Sequence, residues 1–235
     1  MGRQWMQKKR ETNAAKKGKV ATKLVRDIAI AAKSGADPAM NARLAVVLEA
    51  ARKQSVSSDT IQRAIKKGAG LLGEKMELES VIFEGFTPHK VPLIVECLTD
   101  NRNRTAPEIR VLFRDGQLGA KVGFLFDHVG IIEATHPDAT LDLEGAAIEA
   151  GAQNVAPLDG TPAGHLGGHF TTDRTDLDLV TKALQKAGFT VTVSELGYVA
   201  KEEIDLPAEQ RGSVESFLEA LDDNDDVHRI WTALK

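Results

Sequence analysis

The sequence predicts an α+β protein: a three-helix module at the amino end, then two small α/β ferredoxin-like domains, one inserted into the other. Three observations carry that expectation. Apolar residues recur at helical spacing up to Gly68 and then switch to alternation from Ser80 onward. Strand and helix patterns between Ile131 and Val193 follow the order β-α-β-β-α-β. The charge is also divided. Of the 235 residues, Met1–Lys75 carry 17 Lys+Arg against 6 Asp+Glu, or +11, whereas the rest carry −15 within a total of −4.

Met1–Ala15 has no sustained apolar periodicity and reads as a basic arm. Val20, Leu24 and Ile28 step by four and predict the first helix, which Ser34-Gly35-Ala36 ends. Asp37-Pro38 is the expected cap and first residue of the second helix, with Leu44, Val47, Leu48 and Ala51 on its apolar face. Ser57-Ser58-Asp59 caps the third, whose stripe is Ile61, Ala64 and Ile65. Lys66-Lys67-Gly68 closes it with positive charge where the helix dipole favours it. The run Gly68-Ala69-Gly70-Leu71-Leu72-Gly73 matches a dinucleotide-binding text pattern. A helix precedes it rather than a strand, so it reads as a linker.

Strands are expected at Ser80–Phe86 and Val91–Leu98, around a hairpin loop Thr87-Pro88-His89-Lys90. A helix follows over Thr105–Phe113, with Pro107 in its first turn, then a strand over Val122–Phe126. The next elements are strand Ile131–Ala134, helix Leu141–Ala150 and strands Asn154–Pro157 and Gly167–Thr172. Helix Asp173–Ala187 and strand Phe189–Val193 complete that run. A strand near Tyr198–Ile204, a helix over Pro207–Leu221 and a strand near Val227–Thr232 supply what the opening strand-strand-helix-strand unit lacks. The expected domains are therefore 1–75, the discontinuous pair 76–130 with 200–235, and the inserted 131–199.

The charge division points to a polyanion. Arg3, Lys8, Lys9, Arg10, Lys16, Lys17, Lys19, Lys23 and Arg26 crowd the start of the chain. Phosphate neutralisation by such residues releases condensed counterions and supplies most of a non-specific affinity. Arg63, Lys66 and Lys67 extend the surface, although ordinary helix-end charges have the same pattern. Trp5 either stacks on a base or folds back as an apolar anchor. Arg102 and Arg104, beside Asn101 and Asn103 at a helix start, suit a phosphate or carboxylate. The alternative is that they make ion pairs with the acidic body.

Enzyme readings have little support. Cys97 lies in an apolar strand, where a thiol is inert packing. His165 and His169 are separated by Gly167-Gly168, which opposes the helix a zinc pair needs. Asp222-Asp223-Asn224-Asp225-Asp226 lacks the glycine and closing glutamate of a calcium loop. Neither cofactor nor metal is expected. One cysteine excludes an internal disulfide. The polar, basic start lacks the apolar stretch of a secretory signal, and no run is long enough to span a membrane. A cytoplasmic protein is expected.

Several stretches resemble the YebC/PmpR family, which has a mitochondrial relative that activates translation of cytochrome c oxidase subunit I. They are Thr22–Ile28, Ile61–Lys67, Phe83-Glu84-Gly85-Phe86 and, longest, Val95-Glu96-Cys97-Leu98-Thr99-Asp100-Asn101-Arg102-Asn103-Arg104-Thr105. The resemblance spans almost the whole chain and implies a YebC-like fold and a non-enzymatic nucleic-acid-binding regulator. Members resemble DNA-binding transcription regulators in some cases and ribosome- or rRNA-associated translation factors in others. Gly2-Arg3-Gln4-Trp5 departs from the family's Gly-His-Ser-Lys-Trp opening. Asp115–Gly123 departs from its glycine-rich stretch. A protein–protein adaptor, with basic partners on the acidic domains, is the remaining alternative.

Overall fold

The computed structural model describes residues 18, 20–72, 78–158 and 161–235. The basic arm, with Arg3, Trp5, Lys8, Lys9 and Arg10, lies outside the described residues, as do Lys16, Lys17 and Lys19 after it and Gly73 of the linker. Two compact units emerge. One holds the described residues up to 72 together with Gly130–Leu196, and the other holds those from 78 to Val129 together with Gly197–Lys235.

The first unit begins with α1 (residues 20–32), α2 (Ala42–Lys53) and α3 (Ser58–Gly68). Ile28, Leu44, Leu48, Ala51, Ile61 and Ala64 form their shared core, largely as the helical spacing requires. The start of α2 differs from expectation. Asp37 caps only the short turn at Ala39, whose N–H it accepts at 2.9 Å, and Asn41 caps the helix. Asn41 accepts the Leu44 N–H and donates to the carbonyls of Ala31 and Gly35, at 2.8 and 2.9 Å. This buried amide ties the end of α1 to the start of α2, so three hydrogen bonds outweigh the local Asp-Pro signal. Val46, absent from the expected stripe, is buried in a second direction and joins a core with Ile132, Phe170 and Leu184.

That second core belongs to β4 (Phe126–His136), α5 (Leu143–Ala150), β5 (Asn154–Pro157), β6 (Leu166–Thr172), α6 (Leu177–Lys186) and β7 (Thr190–Ala200). The sheet order is β5-β6-β4-β7, the ferredoxin-like arrangement that β-α-β-β-α-β connectivity produces. Two strands are longer than expected. β4 is continuous across Gly130, and the chain just before it, Gly123–Leu125, is a 3-10 turn rather than a strand. Gly130 was expected to close the segment 76–130, but it faces Thr172 in register and a Cβ there would sit 2.5 Å from the threonine hydroxyl. It is a close-packing position inside a ladder. β7 likewise runs from Thr190, one residue after the expected start at Phe189, through Val193 into the start of the Tyr198–Ile204 pattern, while Ile204 makes only a bridge to Leu234.

The second unit is built on a hairpin, β1 (Glu79–Phe86) and β2 (Pro92–Thr99), paired without a break from Glu79↔Thr99 to Phe86↔Pro92. β3 (Gln117–Leu118) pairs the end of β1, and β8 (Val227–Thr232) pairs β2. Almost every β2 side chain is buried, because the sheet is covered on both faces. Leu93, Val95 and Cys97 meet Ile109, Phe113, Phe217 and Leu221 of α4 (Arg102–Leu112), its following turn and α7 (Ala208–Asp222). Val91 and Ile94 meet Val122, Phe126 and Val214. Helix α4 starts three residues earlier than expected, so Pro107 sits in its second turn and not its first. The chain is thus a mixed helix and sheet protein, with two four-stranded antiparallel sheets among the described residues.

Candidate nucleic-acid interface

Helix α3 buries Ile61, Ala64 and Ile65 and turns Arg63, Lys66 and Lys67 to solvent. At spacings of three and four, those cations occupy one face. Ser57 sets the start of the helix by accepting the Thr60 N–H at 3.3 Å. Gly68 sets its approach to α1. A Cβ at that position would lie 2.0 Å from the Ala29 carbonyl oxygen, so no side chain fits between the two backbones. The glycine read as part of a linker is in fact a helix-packing contact. It brings the basic last turn of α3 to the helix bearing Lys23 and Arg26, both half-buried and both engaged in interactions. Residues 20–72 hold nine Lys+Arg against four Asp+Glu, so the described part of the module remains basic without the arm.

The second basic feature, at the start of α4, is occupied from within the protein. Asn101 caps the helix through the Arg104 N–H, and its own N–H donates to Thr99 Oγ1 at 2.9 Å. The Arg104 guanidinium donates to both carboxylate oxygens of Asp226, at 2.9 and 3.1 Å, and reaches Asp100 at 3.3 Å. Thr105 Oγ1 donates to the same Asp226 carboxylate at 2.7 Å. The hydrogen bond from Arg104 and the charge of Asp226 raise the guanidinium's already high pKa. The anion suited to this helix start is therefore the protein's own side chain. Arg102 is exposed in the helix's first turn.

The residues weighed for catalysis are not assembled into a site. Cys97 is fully buried, and its thiol pKa is pushed up to about 12, first by burial and then by Asp226 and Glu96. His169 lies on β6, 3.9 Å from Glu133, while His165 is exposed in the preceding loop. In the acidic turn, Asn224 accepts the Asp226 N–H and donates to Glu108, and Asp226 itself serves Arg104. Among the described residues no group of three or more His, Cys, Asp or Glu is placed to hold a metal ion. No helix among them is long and apolar enough to cross a membrane.

One arrangement escaped the sequence reading. Glu84 accepts the N–H groups of Val122 and Gly123 at 2.7 and 2.8 Å, and its carbonyl accepts the Gly119 N–H at 2.8 Å. Gly85 permits this closure, since a Cβ there would lie 2.4 Å from the Gln117 carbonyl oxygen. The signal was the Phe83-Glu84-Gly85-Phe86 stretch itself, whose acid had no assigned partner.

A basic three-helix module joined to two antiparallel α/β sheets, one interrupting the other in sequence, is a layout shared with known proteins. The family model described as the TACO1/YebC protein N-terminal domain matches residues 2–71. The one described as the TACO1/YebC second and third domain matches residues 78–234. A relative from Pseudomonas syringae pv. syringae, named probable transcriptional regulatory protein, is 52% identical over all of this chain and 99% of its own length. One of the same designation from Bdellovibrio bacteriovorus is 46% identical, with both chains covered completely. The crystal structure of a conserved hypothetical protein from Aquifex aeolicus superposes with a TM-score of 0.79 at 33% identity, covering 94% of this chain and 91% of that one. The chain belongs to the TACO1/YebC family.

Proposed function

We propose that this protein is a non-enzymatic, nucleic-acid-binding regulator of gene expression, and specifically a DNA-binding transcription regulator of the YebC/PmpR type. The division of charge carries the reading: +11 over Met1–Lys75 against −15 over the remainder. A basic segment attracts phosphate over a Debye length, while the acidic body discourages indiscriminate wrapping of the polyanion. Arg63, Lys66 and Lys67 on the open face of α3, with the basic arm, are the residues assigned to phosphate. Arg104, already held by Asp226, is assigned a supporting role, and Arg102 a place at the margin. The names of the full-length relatives support the regulatory part of the reading. The protein acts in the cytoplasm, without a membrane.

The test is binding of duplex DNA and of ribosomes at matched ionic strength, followed by footprinting on genomic fragments. Affinity for DNA falls steeply with salt. Each phosphate that the protein no longer neutralises flattens the log–log slope by about 0.9, so replacing Arg63, Lys66 and Lys67 by alanine reduces it by up to ~3. Co-sedimentation with ribosomes, without DNA footprints, would instead select the rRNA-associated translation role. Binding to neither would remove the nucleic-acid reading altogether.

A further inference from the structure

One side of β1 remains unused by the nucleic-acid reading. β2 covers one edge of β1 along its whole length, but β3 covers the other only at Gly85 and Phe86. The Glu84 carbonyl points to that second edge, because Gly119 N–H donates to it there. Backbone groups alternate sides along a strand, so the N–H and C=O of Ile82 and Ser80 point the same way. Among the described residues no strand pairs with them. Natural edges are normally blunted by lysine, proline or a bulge. Ser80-Val81-Ile82-Phe83 has no lysine or proline, and its register with β2 runs unbroken.

Against this edge lies a groove of about 590 Å³, lined by Ile82, Phe83, Glu84, Arg110, Phe113 and Leu118. Its wall is preformed: Glu84 holds the Gly119–Gly123 loop through three hydrogen bonds. With that carboxylate turned onto backbone N–H groups, Arg110 is the charge the groove presents. Arg110 is exposed and pairs with no carboxylate among the described residues.

We propose that this groove docks an extended acidic peptide from a partner protein, which adds a strand to the free edge of β1. Its backbone pairs with Ser80 and Ile82. One side chain fills the apolar space against Phe83 and Leu118, and a carboxylate on the groove side reaches Arg110. The charge selects this occupant. A nucleobase would need an open aromatic face, and of the two phenylalanines lining the groove Phe113 is buried and Phe83 half-buried.

The test uses the full chain and short fluorescein-labelled peptides that carry valine and glutamate two residues apart, on one face of the strand, with threonine between them. Controls are the valine–lysine counterpart and the glutamate peptide N-methylated at alternate positions. Anisotropy should show saturable binding of the glutamate peptide, at least about tenfold tighter than the lysine peptide, the scale of one charge-assisted hydrogen bond. N-methylation should abolish it without touching the protein. Arg110→Glu should reverse the charge preference, and the Ile82 and Gly119 amide resonances should shift on binding. The proposal is overturned by absent saturation, by charge-blind binding, or by a methylated peptide that binds as well as the parent. It is equally overturned if oligouridylate shifts Ile82 and the peptide does not, or if ultracentrifugation shows a dimer that closes this edge.

Discussion

Arg104 and Asp226, 122 residues apart in sequence, meet at 2.9 Å and join the first turn of α4 to the residue just before β8. The carboxylate is buried while the guanidinium is half-exposed, so the geometry of the pair is set from the Asp226 side. Thr105, Thr99 and Asn101 complete the polar junction under the sheet.

Removing the buried partner should loosen that junction. Asp226→Ala removes the charged acceptor that Arg104 and Thr105 share and is expected to cost about 2 kcal/mol, read as a lower midpoint in urea unfolding. Arg104→Lys should cost less, since an ammonium keeps one hydrogen bond but not the fork on both oxygens. If Asp226→Ala unfolds at the parent midpoint, the junction does not stabilise the unit.

Gly68→Ala should destabilise the helical module by about 1–3 kcal/mol, because the added methyl overlaps the Ala29 backbone and α3 must retreat from α1. Gly70→Ala is the contrast: its surroundings are open, and only its positive φ of 72° opposes a side chain. Thermal unfolding should separate the two, with the larger loss at Gly68. The Gly68 variant should also bind DNA more weakly.

Glu84→Ala should release the Val122 and Gly123 amides to solvent. Hydrogen exchange at these two positions should accelerate, with a loss of about 1–2 kcal/mol, while exchange in α1–α3 stays unchanged. Unaltered exchange at Val122 and Gly123 would show that the loop holds itself.

The Cys97 thiol supplies a pH signature. Its folded pKa, raised to about 12, exceeds the ordinary 9.0, so the native state favours the neutral thiol more than the unfolded chain does. That contribution is complete below pH 9 and disappears as pH rises toward 12. Alkaline unfolding should therefore begin above pH 9, and Cys97→Ala should shift its onset upward relative to its own stability at neutral pH. The native thiol should resist a thiol reagent at about pH 8 and react once the protein is unfolded.

Much of this architecture was legible in residue order. Alternation placed β1, β2 and β8 within a residue or two, and the i, i+4 stripe identified the buried face of α3 and, from Leu24 onward, that of α1, whose Val20 is exposed. Where the reading failed, a short local signal competed with a distant one. Asp37-Pro38 resembled a helix start because the partners of Asn41, the Ala31 and Gly35 carbonyls, are brought to it only when α1 folds back. Gly130 resembled a segment boundary because its tight approach to Thr172 exists only across the ladder.

The linear chain alone determined the division of charge, the helix and strand periods and the order of elements, since each depends on residues a few positions apart. Tertiary structure decided which cations remain open to a partner. Arg102 and Arg104 stand two residues apart in one turn, yet folding brings Asp226 to Arg104. It also decided that Glu84 serves backbone amides and that Gly68 is a packing position. Electrostatic and steric partners act over a few ångströms, and only the closed fold brings groups so far apart in sequence within that range.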